Sequence, residues 1–582
     1  MLTINPLLAI DAYKFGHMSM HPDNIDYIYC NLTPRSMKYF NRSIPSEFVD
    51  NKLVAFGMQM AVQDIIQSFD TNFFSRPLSD VLAEFLTTAA PFIGENAKAK
   101  QILESNVTKL HKLGYLPLCI KTLPEGTISN PQVPILTIVN TIPGFGWLPN
   151  YLETYISQNT WKVATVTTLA RVYRKIFEKY SALTCDDNSH IIFQGHDFSA
   201  RGMSSTEDSI KDGIGHMTQF WGSDSVHSAF TATNHYGFQN EIPLAFSVPA
   251  TEHSIMCLGI ALSSEEETFR RLLKQYNTGI IAIVSDTEDY WNTITNIASN
   301  LKDDILARQP DSMGLCKTVF RPDSGNPIDI VCGTLANLES FSLEDCPDEK
   351  IMLKCAQEYM HERLTEETPH GEYGGDYTCD VVWNDTIYTL NYDPDWNRYD
   401  KQYYYIENYG DKTPKILKTS PITNEHKGSL QILWDIFGGT INDKGFKVLN
   451  PKVGLIYGDS ITPQRANDIL AGLAAKGFAS SNIVFGIGSY AYNYSTRDSL
   501  GFAIKATAAI DSDDNLIPIQ KTVKTDTGKK SACGLLHVTE DLQLIDNATR
   551  AQEATGALKV IFSNGSTNFE TNFAAIRERA GL

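Results

Sequence analysis

Loops that combine carboxylates, arginines and glycines recur from residue 197 onward, and together they carry the residue types needed to hold a phosphorylated ligand. Guanidinium groups and glycine-rich backbone match phosphate oxygens, while carboxylates hold sugar hydroxyls or a Mg²⁺ bound to diphosphate. Phe198, beside Arg201, can stack on a flat ring. Any single loop is equally compatible with a capped turn, but the set favours one shared site. The loops are residues 197–202, 222–225, 249–254, 285–286, 321–325, 458–460, 486–489 and 497–498.

Short apolar runs precede six of these loops and predict the strands that position them. Such continuous runs are typical of parallel strands buried on both faces. After the loop at 458–460, Thr462 as N-cap, Pro463 in the first turn and Gly477 beyond the end predict a helix. Repeated strand–loop–helix units predict a barrel or a wide doubly wound sheet, with ligands at the carboxyl ends of the strands. The runs are residues 191–193, 244–246, 280–284, 318–320, 453–457 and 483–485.

Composition excludes several classes of protein. The chain has 582 residues, with 49 Lys and Arg against 68 Asp and Glu, so its formal net charge is −19 and we expect no nucleic-acid partner. The ten cysteines form no Cys-x-x-Cys pair, which disfavours zinc ribbons and indicates a reducing compartment. No run approaches the roughly 18 apolar residues of a membrane helix. The first residues lack the basic region of a signal peptide, so we expect a cytoplasmic protein without membrane contact.

Generic catalytic signatures are absent from the sequence. There is no Gly-x-x-x-x-Gly-Lys-Ser/Thr, no His-Glu-x-x-His and no Gly-x-Ser-x-Gly, and Gly486-Ile487-Gly488 lacks the third glycine of a dinucleotide-binding loop. The chemistry must therefore lie in a more specialised combination of loops.

Four longer motifs carry a resemblance to a known family. They are Asp-x-Tyr-Lys-x-x-His at 11–17, Val-Pro-Ala-Thr-Glu-His-Ser at 248–254, Arg-Pro-Asp-Ser-Gly-Asn-Pro at 321–327 and Gly-Asp at 458–459. In this order they resemble the type II phosphoribosyltransferases, in particular those that use nicotinamide, and the likeness runs from residue 11 to about residue 530. After about residue 535 it is weak.

The resemblance implies an α/β fold in which a barrel-like parallel domain is joined to an α+β domain. We expect residues 1–30 and 186–510 to form the first domain, and residues 31–185 with 511–582 the second. Residues 361–411 hold 12 Asp or Glu against 3 Lys or Arg, together with 11 Tyr or Trp. Disordered acidic tracts are poor in aromatic residues, so we expect an ordered acidic insertion with β-hairpins at 386–391 and 402–407.

The resemblance also implies a reaction. The ring nitrogen of nicotinamide attacks C1 of 5-phosphoribosyl 1-diphosphate, which gives nicotinamide mononucleotide and diphosphate for NAD salvage. Because that nitrogen has no proton to lose, the reaction needs no general base, only positioning, Mg²⁺ and arginines. Further implications are a homodimer with shared active sites, and ATP as a coupling co-substrate.

Matching motif positions imply roles for individual residues. Phe198 and the second subunit's Tyr13 stack on the two faces of nicotinamide, and Asp224 accepts a hydrogen bond from its carboxamide. The remaining binding residues divide into those for the ring and phosphates (Arg201 and Arg321), those near ribose and Mg²⁺ (Asp323, Gly458 and Asp459), and those for the 5′-phosphate (Gly488, Ser489 and Arg497).

Three residues are implied to be catalytic: His253, Asp286 and Asp323. In the resembling family the histidine is phosphorylated by ATP, and Asp286 matches the carboxylate that orients its ring. Asp286 and Asp323 are also the candidate Mg²⁺ ligands. Ser489-Tyr490 stands where animal members have glycines, and Ala200 where they have tyrosine.

Two other functions stay open at this point. A nicotinate phosphoribosyltransferase would need a pocket that accepts a carboxylate, and Asp224 argues against it because like charges repel when desolvated. A non-catalytic binding protein of the same fold would have lost site acids or arginines, and these are all present.

Overall fold

The structure is a computed structural model that describes residues 4–237, 243–367, 376–393, 396–399, 402–405, 412–458, 460–520 and 532–582. Its largest sheets are a parallel sheet of six strands and an antiparallel sheet of seven. A smaller sheet of four strands lies in the acidic part of the chain. In the described ranges, no helix is long and apolar enough to cross a membrane.

The six-stranded sheet is parallel throughout. The strand Val453–Tyr457 in its interior is buried along all five residues, and Gly279–Val284 and Ile483–Ile487 are mostly buried and apolar. Because the strands are parallel, their carboxyl ends meet at one edge. In spatial order the strands are Gly222–Ser223, Gly195–Asp197, Ile483–Ile487, Val453–Tyr457, Cys316–Arg321 and Gly279–Val284.

A short segment, residues 246–251, joins the two outer strands of this sheet; we call it the closing segment. At one end the N–H of Phe246 donates to the carbonyl of Trp221 (2.7 Å), and at the other the N–H of Ala282 donates to the carbonyl of Pro249 (2.9 Å). The sheet thereby curls into a ring, and the predicted barrel-like parallel arrangement is confirmed.

Helices cover the outside of this ring. The helix predicted after 458–460 is Pro463–Ala475, with Thr462 accepting from the N–H of Arg465 (3.2 Å) and Gly477 at a φ of 72° beyond its end. Its apolar residues Ala466, Ile469, Leu470 and Leu473 are buried. The other covering helices are Thr206–Met217, Val226–Tyr236, His253–Leu262, Glu265–Gln275, Pro327–Cys332 and Ser429–Phe437.

Two of the six predicted strands are wrong. Residues 191–193 lie in the short helix Ile191–Gln194, and the strand begins only at Gly195. Residues 244–246 form no strand, and Phe246 alone makes a bridge to Gly222. Three apolar residues in a row are buried equally well in a helical turn as in a strand, so periodicity could not separate the two.

The seven-stranded sheet is antiparallel and packs against helices from the first third of the chain, among them Met58–Phe69 and Glu153–Thr184. Two of its strands, Ile25–Thr33 and Ala503–Asp511, cross the predicted domain boundaries at 30 and 510. The division into domains stays a prediction. In spatial order the strands are Leu516–Pro518, Ala503–Asp511, Ile25–Thr33, Leu136–Asn140, Leu118–Thr122, Lys559–Ser563 and Ser566–Thr567.

The acidic part of the chain forms a unit with its own hydrophobic core, which we call the insertion unit. Helix Glu349–Glu367 packs on the four-stranded sheet. Met352 and Met360 of the helix are buried in one cluster with Val381 and Leu390 of the sheet. Strand Thr386–Tyr392 pairs with Tyr377–Trp383 at the first predicted hairpin, and Gln402–Tyr405 pairs with Trp396–Tyr399 at the second, whose residues 406–407 lie outside the described ranges. The four strands are Glu339–Phe341, Tyr377–Trp383, Thr386–Tyr392 and Lys415–Pro421.

Candidate active site

A cavity of about 650 Å³ opens at the carboxyl ends of five of the parallel strands. Ligands bind at this edge in parallel α/β folds, because the loops there vary while the strands hold them in place. The volume suits a ligand of nucleotide size. Eight residues predicted from the sequence line it together: Phe198, Arg201, Asp224, Arg321, Asp323, Gly458, Gly488 and Ser489.

Asp224, directly after strand Gly222–Ser223, is held by two neighbours. Its Oδ1 accepts hydrogen bonds from His196 Nε2 (2.9 Å) and from the Ser247 hydroxyl. Burial opposes ionisation of Asp224, but these hydrogen bonds, together with the charge of Arg321, hold its pKa below the usual value. The cavity therefore carries a fixed negative charge at this end.

Phe198 forms a ring platform beside that charge. Its ring centroid lies 4.7 Å from that of His196, and the Arg321 guanidinium carbon lies 5.9 Å from it. Gly486 makes room for the ring, since a Cβ there would sit 2.6 Å from Phe198 Cδ2. An aromatic face flanked by an arginine suits a flat heterocycle.

Arg321 and Asp323 follow strand Cys316–Arg321, with Arg321 Nη2 donating to Asp323 Oδ2 (3.2 Å). Burial raises the pKa of Asp323, and the nearby charge of Asp286 adds to this against the opposing charge of Arg321. Asp323 Oδ1 is buried without a hydrogen bond, and a Cβ at Gly458 would lie 2.3 Å from it. Only glycine at 458 leaves room for the carboxylate of Asp323 in this position.

His253 and Asp286 face each other at 3.4 Å, measured from Nε2 to Oδ1. Asp286 is fixed from behind, because its Oδ2 accepts from the N–H of Asp323 (3.0 Å) and the hydroxyl of Ser324 (2.6 Å). The side chain of Asp286 is 4% exposed while that of His253 is 48% exposed. A buried, anchored acid therefore faces an accessible imidazole at the start of helix His253–Leu262.

The two carboxylates fit a Mg²⁺ ion. Asp286 Oδ1 and Asp323 Oδ1 are both buried without a hydrogen bond in the described part of the chain. Mg²⁺ is commonly held by one or two carboxylates, with waters and substrate phosphates completing its shell. A cage of three or more His, Cys, Asp or Glu residues is absent from the described ranges. The donor set thus suits an ion that arrives with a diphosphate.

Gly488 and Ser489 follow strand Ile483–Ile487 and lie against the turn that carries Arg201. A Cβ at Gly202 would come within 2.1 Å of Ser489 Oγ, so the two loops touch. Asn493 Nδ2 donates to the carbonyl of Gly202 (2.9 Å), which fixes the short helix Ser489–Asn493 to the same turn. The loop predicted to hold a 5′-phosphate is thereby rigid.

Among the described residues, four predicted site residues do not line this cavity: His253, Asp286, Tyr13 and Arg497. Tyr13 is 60% exposed, and Arg497 is exposed and pairs with Asp498 (3.5 Å). Burial and the charges of Glu153 and Asp11 raise the pKa of Tyr13, and the charge of Arg497 opposes that rise. Asp459 lies outside the described residues.

Sequence reasoning missed His196 and Ser247. His196 lies two residues before Phe198, and Ser247 precedes the motif at 248–254, so both were close to residues that were identified. What marks them is their convergence on Asp224, which is 28 residues from His196 and 23 from Ser247. No local pattern encodes that contact.

Comparison with known proteins places the chain in a class. The family model "Nicotinate phosphoribosyltransferase (NAPRTase) family" matches residues 193–359 and 418–566, which contain the parallel strands and the cavity. The chain belongs to this family of phosphoribosyltransferases. The stretch between the matched regions falls within the insertion unit.

Individual relatives cover almost the whole chain. The nicotinamide phosphoribosyltransferase of Acinetobacter baylyi is 39% identical over 582 residues, which is 99% of this chain and 97% of the relative. The protein of the same name from Mycoplasma genitalium is 30% identical, covering 91% and 94% of the two chains. The one from Xanthomonas campestris pv. campestris is 26% identical, covering 99% and 98%. The crystal structure of human nicotinic acid phosphoribosyltransferase matches with a TM-score of 0.47 and 12% identity, covering 98% and 92%.

Proposed function

We propose that this protein is a nicotinamide phosphoribosyltransferase, which joins nicotinamide to the phosphoribosyl group of 5-phosphoribosyl 1-diphosphate and releases diphosphate. The observation that carries the proposal is the ionised Asp224 beside the Phe198 platform. A ring that stacks on Phe198 brings its substituent toward that carboxylate. The names of the relatives from Acinetobacter and Mycoplasma support the same reaction.

Electrostatics decides between nicotinamide and nicotinate. The carboxamide NH₂ of nicotinamide donates to Asp224, whereas the carboxylate of nicotinate meets a like charge. In a partly desolvated pocket that repulsion costs several kcal/mol. Asp224 therefore selects the amide although the family model bears the name of the acid.

The transfer step needs no covalent catalysis by the protein. Phe198 aligns the ring nitrogen with C1 of the ribose, and Arg201 and Arg321 hold the phosphates as negative charge develops on the leaving diphosphate. The 5′-phosphate is held by the loop at Gly488 and Ser489. Asp286 and Asp323 would hold Mg²⁺, which supplies neutralisation of the diphosphate charge.

We further propose that ATP drives the reaction through a phosphohistidine at His253. Asp286 Oδ1 lies 3.4 Å from Nε2 of His253 and orients the ring electrostatically. The other ring nitrogen, Nδ1, can then attack the terminal phosphorus of ATP, with ADP as leaving group. Phosphorylated His253 then adds negative charge at the Mg²⁺ side of the cavity and strengthens binding of the phosphoribosyl donor.

We also propose a homodimer with shared active sites. Helices Val226–Tyr236 and His253–Leu262 expose large apolar side chains beside the cavity, including Phe230 and Leu258, which are 69% and 61% exposed. Exposed apolar patches of this kind mark protein interfaces. A second copy that covers them can bring its own Tyr13 and Arg497 to the open cavity, since both are exposed. Light scattering on the purified chain tests this, and Leu258→Glu should yield monomers with little activity.

A product assay with purified protein, Mg²⁺ and the phosphoribosyl donor tests the proposed reaction. We expect nicotinamide mononucleotide from nicotinamide, more of it with ATP present, and far slower turnover of nicotinate. Faster turnover of nicotinate would overturn the proposal. A protein that only binds would show no isotope exchange between diphosphate and the donor in the presence of nicotinamide.

A further inference from the structure

The two oxygens of Asp224 have different surroundings. Oδ1 accepts from both His196 Nε2 (2.9 Å) and the Ser247 hydroxyl, while Oδ2 accepts no hydrogen bond from the described residues. An ionised carboxylate can only accept, so Nε2 of His196 carries the hydrogen. One oxygen is therefore occupied by the protein, and the other is available to a ligand.

His196 is itself held firmly in place. It lies in strand Gly195–Asp197, and its side chain is 11% exposed. On one side its ring meets the backbone of Gly222, where a Cβ would lie 2.8 Å from Nδ1, and on another it contacts the Phe198 ring. The imidazole thus connects the ring platform to the carboxylate, and its position follows from the sheet rather than from a loop.

We propose that His196 is a positioning residue that sets the preference for the amide base, because it fixes Asp224 in the one orientation that presents Oδ2 to the carboxamide. This inference rests on the proposed function. The carboxylate of Asp224 is 44% exposed, so without a partner it can rotate about χ2, a broad torsion, and turn both oxygens away from the direction of the carboxamide. With His196 in place the acceptor is preorganised, and the ligand spends less free energy on ordering it.

Ser247 alone does not define that orientation. A hydroxyl rotates freely and can follow the carboxylate, whereas an imidazole wedged against Gly222 and Phe198 cannot. The Nε2–H bond of His196 therefore has a fixed direction, and it sets the orientation of the Asp224 carboxylate. Loss of His196 should loosen base recognition while the distant phosphate contacts at Gly488 and Ser489 stay unchanged.

Steady-state kinetics of His196→Ala and His196→Gln with both bases tests the inference. For the alanine variant we expect kcat/KM with nicotinamide to fall about 30-fold, mostly through KM, and the ratio of nicotinamide to nicotinate turnover to fall about tenfold. The KM for the phosphoribosyl donor should change less than about twofold. Glutamine keeps an N–H donor and should restore nicotinamide turnover to within about threefold of the unchanged protein.

His235→Gln is the matched control, because His235 also pairs with a carboxylate, Asp64 (3.2 Å), and lies outside the cavity. It should leave the base preference unchanged. If the alanine variant unfolds in a thermal melt, His196→Leu, which fills the space without a donor, takes its place.

The two levels of the proposal fail differently. Turnover of neither base, or preference for nicotinate, by the unchanged protein would overturn the proposed function. The role of His196 would be overturned if the unchanged protein prefers nicotinamide and a folded His196→Ala or His196→Leu variant keeps that preference. Equal losses in the glutamine and alanine variants would do the same.

Discussion

The parallel ring and the insertion unit are built from similar parts and differ in where they put their charges. Each has a sheet with a helix packed on it and a buried apolar core. In the ring, carboxyl strand ends meet at one edge, so Asp224, Arg321 and Asp323 line one cavity. In the insertion unit, Glu358 on the helix and Asp380 on the sheet both face solvent.

Charged side chains form a site only where the topology of the sheet brings them together. The insertion region is the more acidic of the two, with 12 Asp or Glu among residues 361–411, but its described acids are spread over an outer surface. The family match covers the ring and leaves residues 360–417 out. If activity depends on this convergence, substitutions at the cavity should reduce it far more than matched substitutions elsewhere.

Removal of Arg321 should have the largest effect. We expect Arg321→Ala to lower kcat/KM about 10³-fold, because the variant loses a preorganised cation where leaving-group charge develops. Initial rates with nicotinamide and saturating ATP measure it. Arg270→Ala is the control, since Arg270 is paired with acids on an outer helix, and a similar loss there would break the comparison.

Neutralising Asp224 should change specificity more than rate. Asp224→Asn removes the like charge that repels nicotinate, so we expect nicotinate turnover relative to nicotinamide to rise about 100-fold. Competition between the two bases measures the ratio. Asp380→Asn in the insertion unit is the matched control, because Asp380 also accepts from a hydroxyl, that of Thr389 (2.6 Å). An equal change there would contradict the argument.

Loss of His253 should separate ATP hydrolysis from transfer. We expect His253→Ala to abolish ATPase activity and to weaken binding of the phosphoribosyl donor about tenfold, while transfer itself persists. ADP release and nucleotide formation, measured in the same reaction, give the two rates. An ATPase undisturbed by the substitution would refute the coupling role.

A core substitution in the insertion unit should change stability with the smallest effect on activity. Leu390 is fully buried there, so Leu390→Ala should destabilise the unit by about 2–5 kcal/mol. Hydrogen exchange of strands Tyr377–Trp383 and Thr386–Tyr392 reports the loss. Transferase activity should stay within about twofold, and a tenfold drop would show that the unit supports the site.

The sequence predicted the parts of the fold that local patterns encode. Four apolar runs became strands of the parallel sheet. The runs at 280–284 and 453–457 are five residues long, and those at 318–320 and 483–485 lie within the longer strands Cys316–Arg321 and Ile483–Ile487. The helix Pro463–Ala475 was predicted with both ends, since its cap, proline and glycine each act locally. The runs of three residues at 191–193 and 244–246 were too short to specify their structure.

The site was predicted as a set of loops but without its internal contacts. Loops that follow parallel strands must meet at one edge, which is why residues as distant as Phe198 and Ser489 were correctly grouped. The hydrogen bonds of Asp224 depend on side-chain directions across neighbouring strands, which no spacing encodes. Tyr13 and Arg497 came from motif positions alone, and neither lines the cavity.

The closing segment has a consequence for the order in which the molecule assembles. Residues 246–251 contact both outer strands, through the bridges of Phe246 to Gly222 and of Ala250 to Ala282. His253, which faces Asp286, follows two residues later. Until this stretch docks, Ser247 is apart from Asp224 and His253 is apart from its acid. A partly folded chain therefore holds neither pair, and both pairs form only when the ring is complete.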